Sequence, residues 1–165
     1  MASFSVKGPF NVPVTRFKAG RSITRTDIAT FWERYSEIAT ECGCYIFGFR
    51  AAKGSKPVYV GKATRTFKQE VFTNDKLKKY GDAFTSQAKG VPILFFVCLN
   101  RARGARNKAA IDGVESHLIQ AGLAANKELL NGKKISVESW SIGGIVRSRG
   151  KAPAPAREFK KFIKL

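Results

Sequence analysis

The sequence predicts an α/β (α+β) fold in which a β-hairpin and a third strand combine with helices, and three observations predict it. Two short segments rich in strand formers, Tyr45-Ile46-Phe47 and Val58-Tyr59-Val60, flank a turn-prone stretch, Ala51-Ala52-Lys53-Gly54-Ser55-Lys56-Pro57. That pattern is a β-hairpin with a basic loop. An unbroken apolar run, Ile93-Leu94-Phe95-Phe96-Val97-Cys98-Leu99, follows Pro92 and has the length of a buried third strand. Two segments, 25–41 and 108–122, repeat apolar residues at helical spacing. At 165 residues the chain is long enough for one core of its own and is expected to form a single domain. Within it lie an N-terminal arm and helix (1–41), a core (42–131) and a basic C-terminal extension (132–165).

Charge decides the class of partner. Thirty Lys and Arg against twelve Asp and Glu give a net charge of +18, an excess whose self-repulsion is relieved beside a polyanion. Nucleic acid is the expected partner, DNA ahead of RNA, with no membrane association. Thirteen Phe and a 44% hydrophobic content argue against a disordered basic tail. No apolar run approaches membrane-spanning length and the N-terminus lacks a continuous apolar signal region, so a cytoplasmic, nucleoid-associated location is expected. Cys42-x-Cys44 is too tight for the usual zinc spacing, and with a single His in the chain the cysteines read as reduced, half-buried thiols.

Taken in order, residues 1–22 show no helical period and contain Pro9 and Pro13, which suits either an arm or irregular strand packed by Phe4, Phe10 and Phe17, or a mobile basic tail. Over 25–41, Ile28, Phe31, Trp32, Tyr35 and Ile38 form a core-facing stripe behind the capping candidates Thr24 and Thr26. After the hairpin a short helix is expected from about Thr66, carrying Lys68 and Gln69, then another from about Lys76. Arg101, Arg103, Arg106 and Lys108 follow the third strand in a loop suited either to plain solvation or to phosphate contact. In 108–122 the stripe is Ile111, Val114, Leu118 and Ile119, and Glu115 falls inside it. A carboxylate on a buried face is paired, metal-bound, or opens into a cleft. Beyond a turn with a short helix at 123–132, irregular or edge strand is expected around Trp140 and Gly144. Arg147, Arg149 and Lys151 then form a basic cluster before a stiff Ala152-Pro153-Ala154-Pro155-Ala156 connector. Residues 157–165 end as a basic amphipathic tail whose Phe159, Phe162 and Ile163 are expected to dock on the body.

Gly43-Cys44-Tyr45 followed by Tyr59-Val60-Gly61 resembles the two-part signature of the GIY-YIG nuclease superfamily, with Lys62 continuing as in its excision-repair members. Glu115 on the later helix and Asn126 about a dozen residues on extend the resemblance over roughly residues 42–131. It implies a three-stranded antiparallel sheet flanked by helices and a metal-dependent endonuclease hydrolysing phosphodiester bonds of DNA. By that similarity Glu115 would hold Mg²⁺ (or Mn²⁺), and Tyr45 or Tyr59 would position or deprotonate the attacking water with Lys62 nearby. Gly61 and Asn126 would be structural. The sequence departs from the family at Gln69, where members usually carry an Arg that reaches the scissile phosphate; Arg65, one helical turn earlier, is the candidate replacement. Lys53, Lys56, Lys68, Arg101, Arg103, Arg106, Arg147 and Arg149 are the candidate nucleic-acid contacts. A homodimer is the arrangement by which a one-site chain would cut both strands. The alternatives are a nucleic-acid-binding protein of this fold with a degenerate site, or a basic RNA-binding protein.

Overall fold

The structure, a computed structural model, describes residues 2–52, 54–86, 90–100, 107–133, 151 and 153–163. The chain divides into two compact units, Met1–Ile135 and Ser136–Leu165. The first is an α+β unit whose elements run β1 (Ser3–Asn11), β2 (Thr15–Phe17), β3 (Gly20–Ser22), α1 (Arg25–Arg34), α2 (Ser36–Ala39), β4 (Gly43–Ala51), β5 (Gly54–Ala63), α3 (Phe67–Glu70), α4 (Asn74–Ser86), β6 (Val91–Asn100) and α5 (Lys108–Ala125). The second contributes α6 (Ala154–Ile163), on which Phe159 is exposed. The side chains of Phe162 and Ile163, and the segments around Trp140 and Gly144, lie outside the described residues.

The main sheet has four strands in the order β1-β6-β4-β5, all neighbours antiparallel, where the sequence predicts three. The additional strand is β1, paired along β6 from Ser3↔Asn100 to Asn11↔Ile93. In the sequence it appears only as the irregular-strand alternative for residues 1–22, for a physical reason. As an edge strand it exposes much of its surface, and its register shifts between Lys7 and Phe10, where Gly8 takes φ +123° and Pro9 offers no N–H. A separate two-stranded ribbon, β2–β3, pairs Thr15↔Ser22, Arg16↔Arg21 and Phe17↔Gly20. The hairpin strands run further toward their turn than the sequence predicts, so Lys56 lies on β5 opposite Phe49 rather than in a loop.

Helices cover both faces of the sheet. Tyr45, Phe47, Phe49, Tyr59, Leu94 and Phe96 face a core shared with Phe31, Trp32 and Ile38 of α1–α2, Phe67 of α3, and Tyr80 and Phe84 of α4. On the other face Cys44 and Val97 pack against Ile111 of α5, and Val60 against Ile119 and Leu129. The helix expected over 25–41 is two. A capping box opens α1, with the Thr24 hydroxyl accepting from Asp27 N–H at 3.2 Å and the Asp27 carboxylate accepting from Thr24 N–H at 2.8 Å. Tyr35 then leaves the helical region at φ −122°, ψ 45°, its ring set edge-on against Phe10 at 4.7 Å and Phe31 at 5.0 Å. A helical period in the sequence does not encode such tertiary contacts. The thiols of Cys42, Cys44 and Cys98 form no disulfide and are fully buried rather than half-buried. The Cys44 thiol donates to the Ile111 carbonyl at 3.3 Å and so ties β4 to α5.

Candidate active site

Both signature triplets sit side by side in the sheet, Gly43 opposite Ala63 and Tyr45 opposite Gly61. Packing alone accounts for their glycines. Gly43 holds φ +144°, and a Cβ there would collide with the Val97 backbone on β6. A Cβ on Gly61 would collide with the ring of Tyr45, which lies flat across it. Tyr45 is accordingly 0% exposed, and its hydroxyl is buried against that of Tyr80. Burial drives the Tyr45 pKa well above the ordinary value of 10, so this phenol stays protonated at neutral pH. The hydroxyl of neighbouring Tyr80 is committed to the Val71 carbonyl at 2.9 Å.

Tyr59 stands differently. Its ring centroid is 6.3 Å from that of Tyr45, and although only 6% exposed it borders a cleft of about 520 Å³. Lys62, Lys76, Lys79, Glu115 and Asn131 line the same cleft. Lys76 and Lys79 share a face of α4, three residues apart, and set their ammonium groups 5.3 and 5.7 Å from the Tyr59 ring centroid. Burial works to lower the Lys76 pKa, but its contacts with Tyr59 and Asp75 outweigh that and raise it, keeping the group an ammonium.

Glu115 enters from α5, which packs on the opposite face of the sheet. With Ile111 and Ile119 buried one turn either side of it, its side chain is held at the cleft wall and is 13% exposed. Lys62 Nζ lies 3.2 Å from Glu115 Oε2 and also pairs with Asp112, one turn earlier on α5. Asp112 was not among the expected site residues. Its signal in the sequence is a second carboxylate three positions before the first, on the same helical face. Among the described residues there is no cluster of three or more His, Cys, Asp or Glu, so any metal held here would rest on one or two carboxylates.

The outer edge of β5 is closed by the chain that leaves α5. Asn126 ends the helix and donates from Nδ2 to the Pro57 carbonyl at 2.7 Å, while its Oδ1 accepts from Glu128 N–H at 3.0 Å. Leu130 N–H donates to the Val58 carbonyl at 2.8 Å. The Asn131 carboxamide then acts as a further strand residue, accepting from Val60 N–H at 3.0 Å and donating to Val60 O at 2.8 Å. This clasp fixes α5, and therefore Glu115, against the hairpin. Sequence reading found Asn126 and missed Asn131, which differs from any other polar loop residue only in where the fold delivers it.

Other expected site residues lie elsewhere. Arg65 precedes α3 in a bend, so the helical-face relation to Gln69 does not apply; its guanidinium is 64% exposed and pairs with Glu70 at 3.0 Å. Gln69 is exposed on α3, its N–H capped by Thr66 Oγ1 at 3.3 Å, and Lys68 beside it is exposed too. Neither Arg65 nor Gln69 lines the cleft. Lys56 pairs with Glu128 at 3.2 Å on the surface. Lys53, Arg101, Arg103, Arg106, Arg147 and Arg149 lie outside the described residues. A larger hollow of about 720 Å³ borders Lys7, Glu41 and Cys42, with Lys7 paired to Glu41 at 2.6 Å. The adjacent Cys98 thiol is pushed up to about 12 by burial and by Glu41, which leaves no thiolate for chemistry there. No helix among the described residues is long and apolar enough to cross a membrane. No family model, no curated protein and no solved structure matches the chain.

Proposed function

We propose that the cleft beside β5 is a phosphodiester-hydrolysing centre of the GIY-YIG type and that the protein is a metal-dependent endonuclease acting on DNA. The observation that carries this reading is the meeting of Glu115, from helix α5 on one face of the sheet, and Tyr59, from the edge strand β5, in one cleft with Lys62, Lys76 and Lys79. The donor set suits a hard divalent cation: Glu115, with Asp112 one turn away, offers carboxylate oxygens, and Mg²⁺ readily completes its shell with waters and phosphate oxygens. When bound, Mg²⁺ or Mn²⁺ supplies Lewis-acid stabilisation of charge developing at phosphorus.

The remaining work falls to the chain itself. Lys76 and Lys79 hold the phosphate as fixed ammonium groups at the cleft wall. Lys62, paired with Glu115 at 3.2 Å, orients its carboxylate, and its ammonium is at hand for the phosphate. Tyr59 presents its hydroxyl to orient the attacking water. Tyr45, sealed beneath it, fixes the Tyr59 ring and Gly61 and does not touch the water.

Incubation of supercoiled plasmid with the protein and Mg²⁺ or Mn²⁺ tests this. Nicking that stops with EDTA and with Glu115→Ala is the expected result; metal-independent nicking, or nicking indifferent to that substitution, contradicts it.

A second reading, nucleic-acid binding without hydrolysis, is favoured by the pairing of Arg65 with Glu70 away from the cleft and by Gln69 where the family usually has Arg. It predicts no nicking under any metal. It also predicts Glu115→Ala DNA affinity equal to or above that of the unmodified chain, because an anion near phosphate has been removed.

A further inference from the structure

The β2–β3 ribbon carries a feature that the cleft chemistry does not use. Phe17 lies at its tip, 55% exposed, the most exposed phenylalanine among the described residues, whereas Phe31, Phe47, Phe49, Phe67, Phe84 and Phe96 fill the core. Arg16 and Lys18 flank it in sequence, both exposed, and no acidic residue lies between Thr15 and Ser22. A groove of about 380 Å³ separates this tip from α4 and is lined by Arg16, Phe17, Lys18, Gly20, Arg21 and Phe84.

The ribbon is held rather than loose. Arg21 donates from Nη1 to the Gly90 carbonyl at 2.7 Å and stacks its guanidinium 5.0 Å from the Phe84 ring centroid and 5.5 Å from that of Phe49. Gly20 supplies the turn with φ +143°, leaving open space where a side chain would stand. The ribbon thus offers an apolar ring on a fixed base, bracketed by two positive charges. This is the composition of a single-strand stacking platform, in which the ring takes a base and the cations take its phosphates. A paired base has both faces covered by its neighbours; only an unpaired one offers a free face.

We infer that the β2–β3 ribbon binds unpaired nucleotides, Phe17 stacking on a base while Arg16 and Lys18 contact the adjoining phosphates. The inference rests on the reading of the protein as a nucleic-acid binder. It extends the proposed endonuclease by naming its substrate class: DNA with a single-stranded or unpaired stretch. Helix α4 links the two places. Eight residues separate Lys76 at the cleft from Phe84 at the groove, about 12 Å along the axis at 1.5 Å per residue. A strand that left the cleft and ran along α4 would cover this axial distance in about four nucleotides at about 3.4 Å each.

The test measures binding of the full chain, in EDTA so that nothing is cut, to a fluorescent single-stranded oligonucleotide and to the blunt duplex of the same sequence. Phe17→Ala is expected to weaken single-strand binding roughly 5- to 150-fold, the contribution of one stacked base, and to leave duplex binding unchanged. Phe17→Trp restores the affinity. With 2-aminopurine in the single strand, the quenching seen with the unmodified chain disappears in Phe17→Ala and returns in Phe17→Trp. Arg16→Ala combined with Lys18→Ala lowers the slope of log affinity against log salt by about 1.4 on the single strand.

Equal losses on both substrates, or none, overturn the inference. So does a change in sedimentation of Phe17→Ala without any change in DNA binding, which assigns the ring to a second copy of the chain. Because cutting is never read, failure of the endonuclease reading leaves this outcome intact, and the converse holds as well.

Discussion

The Tyr59 cleft and the Phe17 groove both place an aromatic ring among cations, yet they are built in opposite ways. Tyr59 is wedged between Tyr45, Tyr80 and two lysines, with its strand clamped by Asn131. Phe17 projects from a ribbon three residues deep, held at its base by Arg21. A ring that must aim a hydroxyl at one point needs neighbours that forbid other rotamers. A ring that stacks on any base needs only exposure and a fixed root. The same ingredients therefore serve positioning in one place and adaptable contact in the other, and burial separates the two uses.

Substitutions in the cleft change the chemical step or stability, and substitutions at the ribbon tip change single-strand affinity while stability holds. The largest effect is expected from Tyr59→Phe, which keeps the ring and removes the hydroxyl. Nicking should slow by about 10² or more, as for loss of a positioned proton-transfer or water-orienting group, with the melting temperature held. A rate within a factor of a few of the unmodified chain would return Tyr59 to the role of an ordinary core aromatic.

Next in size is Gly61→Ala, whose methyl group enters the space filled by the Tyr45 ring. Overpacking of this kind costs about 1–3 kcal/mol and is read by urea denaturation. The companion change, Tyr45→Phe, is milder. It removes only the contact of a buried hydroxyl with Tyr80, so stability should change by no more than about 1.5 kcal/mol while nicking is retained. A loss of nicking in Tyr45→Phe as large as that in Tyr59→Phe would break the distinction drawn between the two phenols.

A smaller effect lies in the capping box of α1. Burial works against the Asp27 carboxylate, but hydrogen bonds from Thr24 and Thr15 outweigh it and hold its pKa below 3.8. A carboxylate depressed in the folded state contributes stability that is complete above 3.8 and is lost as pH falls through the lower folded value. Thr24→Ala should cost about 1 kcal/mol at pH 7. Asp27→Asn should flatten that part of the acid limb in denaturation curves recorded between neutral pH and the acid transition. At the bottom of the scale, Phe17→Ala should shift unfolding stability by no more than about 0.5 kcal/mol, as for an exposed residue.

The comparison also shows which parts of the molecule a sequence can announce. The hairpin, β6, α1 and α5 were legible because burial on one face or both writes a period of two, a period of 3.6 or an unbroken apolar run. Strand β1 was legible only as one of two readings of residues 1–22, an irregular strand packed by Phe4 and Phe10, and the β2–β3 ribbon with its exposed Phe17 was not legible, because an edge strand and a three-residue ribbon bury too little to impose a pattern. In the cleft, Tyr59 and Glu115 could be named from local spacing and from the resemblance. Lys76, Lys79, Asp112 and Asn131 could not, since their position depends on how α4 and the chain after α5 dock on the sheet. Arg65 illustrates the reverse error: its helical-face relation to Gln69 presumed a helix that begins two residues later.

The central claim is that Glu115 serves the chemical step and not the grip on DNA. Single-turnover nicking with protein in excess over plasmid reads it directly, because all of the DNA is then bound and affinity drops out of the rate. With Mg²⁺ present, Glu115→Gln is predicted to lower that rate by a factor on the order of 10² or more while the fraction of DNA bound stays the same. A Glu115→Gln chain that nicks bound plasmid as fast as the unmodified one would contradict the account.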